Sequence, residues 1–213
     1  MKPIIAFDFS CSKPAICSII NGNIEYAVFP ASIDGVSKSK LENAGINIYE
    51  RELEPLSKNG KLSSSEIIKE QVCRAANLAD MITNYCLKLL KSNGYEVHEC
   101  IIAHEGLSFG STGNAVLDLS GYKYVLMDRM MHAGFAEFAT YAPITIKKTA
   151  GCSKKGTGKE DMIQAAGEET RHKFNRMIAE SPADLKKKTA WVPCTDDLCD
   201  AYWCMRTAIE KES

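Results

Sequence analysis

Two short apolar runs in this chain each stop at a carboxylate, and that pairing constrains the fold more than any other feature. Pro3-Ile4-Ile5-Ala6-Phe7 ends at Asp8, and Cys100-Ile101-Ile102-Ala103 passes through His104 to Glu105. An apolar run this short and unbroken reads as a strand buried on both faces, the pattern of a sheet covered by helices on each side. In such sheets ligands collect beside the carboxyl ends of the strands, which is where both acids fall. Either acid alone would serve equally well as a solvated turn residue.

The remaining segments fit the same layered architecture. Ala15 to Ile20 reads as a second strand, Asn21-Gly22 as a hairpin turn, and Ile24 to Phe29, with Ile24, Tyr26 and Val28 alternating, as a third. The opening is therefore a three-stranded antiparallel meander. From about 30 to 62 the sequence is polar and without clear period, which predicts an excursion with room for a short helix. Ser63-Ser64-Ser65-Glu66 then starts a long helix whose apolar face runs from Ile67 through Ile82 to Leu90, and Asn93-Gly94 ends it. After Glu105 come a Gly-rich turn (Gly106, Gly110, Gly113), a helix over Asn114 to His132 and a strand over Phe138 to Ala142. Helices over Lys159 to Ile178 and from near Thr195 to about Lys211 follow. The order predicts an α/β fold, a mixed central sheet flanked by helices, in one domain spanning 1–213 with an excursion at about 30–62.

Composition removes several function classes. At 213 residues and 45% hydrophobic content the chain can bury a substantial core. No apolar run approaches the roughly 18 residues needed to cross a bilayer, and the early charges argue against a signal peptide, so a soluble, cytoplasmic protein without membrane partners is expected. Nine cysteines form an odd set, better read as reduced, buried thiols than as disulfides. Cys194, Cys199 and Cys204 recur at intervals of five, which matches no structural zinc pattern. A net charge of −1 provides no global attraction for nucleic acid, so any phosphate contact has to be local.

The third acidic feature is Thr195-Asp196-Asp197-Leu198-Cys199-Asp200-Ala201. Asp197 and Asp200 are three apart and share a helix face. Thr195 reads as an N-cap, and acids in a first turn favour the helix dipole, so Asp196 and Asp197 have a structural explanation. Asp200 is harder to explain this way, because Ala201-Tyr202-Trp203-Cys204-Met205 marks a helix packed into the interior. Four carboxylates gathered at one place cannot all stay ionised without compensating charge. Hard oxygen donors without His or Cys at metal spacing point to Mg2+, with Mn2+ as substitute, and two ions about 4 Å apart would suit phosphodiester hydrolysis. The segment from Ile146 to Lys159 adds Lys147, Lys148, Lys154, Lys155 and Lys159 among glycines, a composition suited to phosphate contact and also to an ordinary solvated loop. A second run, Lys186, Lys187 and Lys188, has the same two readings.

Together these motifs resemble the RuvC family of Holliday-junction resolvases, within the RNase H-like nucleases, and its bacteriophage members in particular. Ile4-Ile5-Ala6-Phe7-Asp8-Phe9-Ser10 is similar to the family's first strand and acid. His104-Glu105-Gly106, with Phe109-Gly110 and Gly113-Asn114-Ala115-Val116, is similar to its second-acid motif. Ile146-Lys147-Lys148 through Gly156-Thr157-Gly158-Lys159 resembles its basic loop, and Asp197-Leu198-Cys199-Asp200-Ala201 its closing Asp-x-x-Asp-Ala. The resemblance implies Asp8, Glu105, Asp197 and Asp200 as ligands of two Mg2+ or Mn2+ ions, and catalytic lysines at Lys159 and at Lys148 or its neighbour Lys147. It also implies DNA contacts from Lys154, Lys155 and Phe109, a homodimer, and branched DNA such as four-way junctions as substrate. Phe9-Ser10 stands where bacterial members carry Pro-Gly, and residues 30 to 65 have no clear counterpart. The competing expectations are an exonuclease or RNA/DNA-hybrid nuclease on the same scaffold, and a junction-binding protein that does not cleave. The exonucleases usually carry Asp-x-Glu on the first strand, which Asp8-Phe9-Ser10 lacks. A nucleotide cofactor is not expected, since no Gly-rich phosphate turn accompanies Asp8.

Overall fold

The computed structural model describes residues 1–51, 63–106, 114–177 and 191–212. Six strands form one sheet: β1 (Ile4–Asp8), β2 (Ala15–Ile20), β3 (Asn23–Val28), β4 (Asn47–Ile48), β5 (Ile101–Glu105) and β6 (Glu137–Tyr141), in the order β4-β3-β2-β1-β5-β6. The β1-β2-β3 meander is antiparallel, as the Asn21-Gly22 turn requires, with Asn21 at φ 53° and Gly22 at φ 81°. β5 joins β1 in parallel and β6 joins β5 in parallel. This is the mixed central sheet, antiparallel on one side of β1 and parallel on the other, that the order of elements predicts.

Strand alternation divides the interior into two cores. Ile5 and Phe7 of β1 and Ile102 of β5 face the helices α2 (Ser64–Ser92) and α3 (Asn114–His132), where Leu78, Ile82, Leu90, Leu126 and Met130 are buried against them. Ile4 and Ala6 of β1 and Ile101 and Ala103 of β5 face the opposite way, onto Leu198, Ala201, Tyr202 and Met205 of α7 (Thr195–Glu212). Each fully buried Ile or Leu contributes about 1.5–3 kcal/mol relative to an exposed one, so both faces of the sheet contribute to its stability. The start of α2 is the expected capping box. The Ser63 hydroxyl accepts from the Glu66 amide at 3.3 Å, and the Glu66 carboxylate accepts from the Ser63 amide at 2.8 Å.

Four expectations need correction. The excursion after β3 holds the short helix for which the sequence left room, and also a strand that the sequence did not show. Helix α1 (Gly35–Asn43), capped by Asp34 Oδ1 on the Ser37 amide at 2.9 Å, leads into β4, which extends the sheet beside β3. The basic segment does not begin as a loop, because Pro143 starts a short helix, α4 (Pro143–Thr149), that carries Lys147 and Lys148. The helix expected over Lys159 to Ile178 is two, α5 (Lys159–Ala165) and α6 (Glu168–Met177). Ala166 is extended at ψ 153°, and the Gly167 amide donates to the Tyr202 hydroxyl at 3.2 Å instead of continuing the helix. Finally, Thr195 does not cap α7 with its side chain. It is the first helical residue, and its hydroxyl donates back to the Val192 carbonyl at 2.7 Å, across a turn in which Cys194 takes φ 74°.

No disulfide joins any of the nine cysteines, and Cys194, Cys199 and Cys204 are buried. Among the described residues, no helix is long and apolar enough to cross a membrane.

Candidate active site

The register of β1 against β5 sets the site. Phe7 lies opposite His104, so the next residues, Asp8 and Glu105, end adjacent parallel strands side by side. By alternation Asp8 shares the face of Ile4 and Ala6, and Glu105 the face of Ile101 and Ala103. That is the face covered by α7, which brings Asp200 to both. Asp8, Glu105 and Asp200 each offer a carboxylate oxygen, and these oxygens lie within 4.8 Å of one another. A group of three such oxygens at this separation can hold a divalent cation.

The electrostatics are those of a site built to receive positive charge. Asp8 is raised well above the usual carboxylate range, by burial first and then by Asp200, Asp197 and Glu105, with Lys159 opposing. Glu105 is raised by burial and Asp200, against Lys159, Lys147 and Lys123. Asp197 lies outside the three-oxygen group. Burial and the neighbouring Asp196 lift its carboxyl to about 7, with Lys13 opposing. The acid with the readiest structural explanation in the sequence is thus strongly perturbed, because α7 begins within the protein and its first turn has little water around it.

Lys159, the first residue of α5, forms an ion pair with Asp200. Burial works against its ammonium, yet Asp200, Cys199 and Asp8 hold it above its ordinary value. The helix is docked so that the lysine reaches the site, since Trp203 Nε1 of α7 donates to the Met162 carbonyl at 2.9 Å. Lys147, Lys148, Lys154 and Lys155 are exposed, and of the four it is Lys147 whose charge reaches Glu105. The loop carrying Lys154 and Lys155 is closed by the Thr157 hydroxyl, shared between the carbonyls of Cys152 at 2.6 Å and Lys154 at 2.7 Å. Phe109 and Lys186, Lys187 and Lys188 lie outside the described residues.

Two residues at the site escaped the sequence reading. Lys13, in the β1–β2 connection, is the cation facing Asp197. Lys123 of α3 is buried and donates to the main-chain carbonyl of Glu105 at 2.7 Å. Its signal was present: Lys123 precedes Leu126 by three and Met130 by seven, so it interrupts the apolar stripe of its own helix. Lys13 gave none, being one lysine in a polar loop.

No family model matches the chain, and no curated protein matches it. Solved structures similar to it include Thermus thermophilus RuvC, at 15% identity over 97% of this chain and 93% of that one, with a TM-score of 0.47. RuvC of T. thermophilus in complex with Holliday junction substrate aligns at 14% identity over 98% and 93%, with a TM-score of 0.46. The yeast mitochondrial Holliday junction resolvase Ydc2 aligns at 11% identity over 96% and 76%, with a TM-score of 0.47.

Proposed function

We propose that the chain is a metal-dependent DNA endonuclease that cleaves Holliday junctions and other branched DNA, acting as a homodimer in recombination or DNA processing. The observation that carries the reading is the convergence of Asp8, Glu105 and Asp200 within 4.8 Å, from two strands and a helix. Oxygen-only donors fit Mg2+ or Mn2+ better than zinc. Asp8, Glu105 and Asp200 would hold the first ion, and Asp197, next along the same helix face, completes the donors for a second. Bound there, the pair would activate the attacking water and neutralise charge on the leaving oxygen. The protein's own groups then bind and orient. Lys159 pairs with Asp200 and would bear on the reacting phosphate, while Lys147, Lys148, Lys154 and Lys155 would contact the DNA backbone. Junction preference and dimerisation rest on the sequence resemblance. The acidic site supports hydrolysis of phosphodiesters in general.

The test is cleavage in Mg2+ and in Mn2+ of a synthetic four-way junction, a linear duplex and an RNA/DNA hybrid by the same preparation. Preference for the junction is expected, with paired nicks near the crossover. Equal or better cleavage of the hybrid or of duplex ends would replace the junction reading with one of the other nucleases. Tight junction binding without cleavage in either metal would remove enzymatic function altogether. Within the lysines, Lys147→Ala should lower the cleavage rate by on the order of a hundredfold, as loss of one group stabilising transition-state charge does, and Lys148→Ala by far less. The opposite ranking would assign the active-site lysine to Lys148.

A further inference from the structure

The main chain of Glu105 is held more firmly than strand pairing alone requires. Its carbonyl oxygen accepts from Lys123 Nζ at 2.7 Å and faces His104 Nδ1 at 3.3 Å. The following amide, Gly106 N, donates to the Tyr141 carbonyl of β6 at 2.8 Å. Lys123 is 9% exposed and His104 7%, so both hydrogen bonds are shielded from water. Burial, with the Lys123 charge beside it, pushes His104 down to about 4, and the ring is neutral in the working range. A carbonyl can only accept, so Nδ1 carries the proton, and Nε2 accepts from the Thr140 hydroxyl at 3.0 Å.

A lysine this deep is uncommon, since its ammonium loses hydration that one hydrogen bond replaces only in part. Lys123 is directed at the backbone of the residue whose side chain completes the acidic site. We propose that Lys123 is a positioning residue for Glu105: its ammonium ties α3 to the last residue of β5 and so sets where the Glu105 carboxylate meets Asp8 and Asp200. The proposal rests on the metal-nuclease reading. It also makes a prediction opposite in sign to a purely electrostatic role. A cation beside a metal site repels a divalent ion, so if charge alone mattered, removing Lys123 would tighten metal binding. If Lys123 positions a ligand, removing it weakens metal binding.

The experiment is calorimetric titration of Mn2+ into wild type, Lys123→Met and Glu105→Gln, with junction cleavage at saturating Mn2+ as a second readout. Lys123→Met keeps the alkyl stem against the core and is expected to weaken Mn2+ binding about tenfold, the usual effect of losing a group that orients a ligand. Its kcat should fall with KM for the junction unchanged, and Glu105→Gln should lose more affinity still. Lys123→Gln, a smaller perturbation, is carried alongside and should shift affinity in the same direction, so that poor folding of the Met variant does not remove the test. Binding of Mn2+ by the Lys123 variants as tight as wild type or tighter, while Glu105→Gln loses it, overturns the proposal. Undiminished binding by Glu105→Gln instead overturns the assignment of the acids as ligands.

Discussion

Asp8→Asn is expected to stop junction cleavage and, in the same protein, to raise the melting temperature. The two effects have one cause. Burial and three neighbouring acids disfavour the Asp8 carboxylate in the folded protein, so a neutral amide of the same shape relieves a cost of folding. For a chain of this size about 1 kcal/mol corresponds to about 2–4 °C, and a rise of at least that much is expected in EDTA at pH 8. With Asp8 gone the site loses a donor that metal-assisted hydrolysis depends on. Several kcal/mol of transition-state stabilisation then disappear, or about a thousandfold in rate. Thermal melts in EDTA and single-turnover cleavage in Mg2+ on one preparation measure both. An Asp8→Asn protein that cleaves like the wild type would end the mechanism, and one that melts lower would assign Asp8 a structural role instead.

The acids also predict an unusual dependence of stability on pH. Asp197 titrates at about 7 in the folded protein against an ordinary 3.8, and Asp8 is displaced in the same direction. Between those limits the folded chain holds protons that the unfolded chain has released. Stability contributed by such groups is therefore complete at low pH and is lost as pH rises through the folded values. In EDTA the melting temperature should fall between about pH 5 and 8, by about 5 °C or more, once the general acid sensitivity of the remaining carboxylates is subtracted using a variant with Asp8→Asn and Asp197→Asn. Mn2+ or Mg2+ should cancel the decline. Binding at a hundred times Kd adds about 2.7 kcal/mol. The added stability should grow as pH rises, because the cation displaces protons from the same oxygens. Identical slopes with and without divalent cation would separate these carboxylates from metal binding.

The parts of the fold legible in the sequence were those whose signal is local. β1, β2 and β5 announce themselves as apolar runs, the turn at Asn21-Gly22 needs left-handed residues, and α2 carries its capping box within four residues. The break between α5 and α6 was not legible, because its cause is the hydroxyl of Tyr202, 35 residues away in sequence. β4 was hidden for a related reason: two residues carry no period, and pairing with β3 alone makes them a strand. At the site, the strand-end acids and Asp200 were visible as residues, whereas their convergence depends on register. Lys123 contradicts the pattern of its own helix, and a pattern-based reading absorbs such an exception as noise.

The register of β1 has a consequence for how the gene can vary. Whether Asp8 points at Asp200 or away from it depends on whether its position in the strand is odd or even, counted from the residues buried against α7. Deleting one residue between Ile4 and Phe7 would turn Asp8 towards α2 and exchange the contents of the two cores at the same time. Length changes in the connections between elements leave that parity untouched. Insertions and deletions are therefore tolerated between the strands and excluded within them. The spacing inside β1 and β5 behaves as a reading frame for the active site.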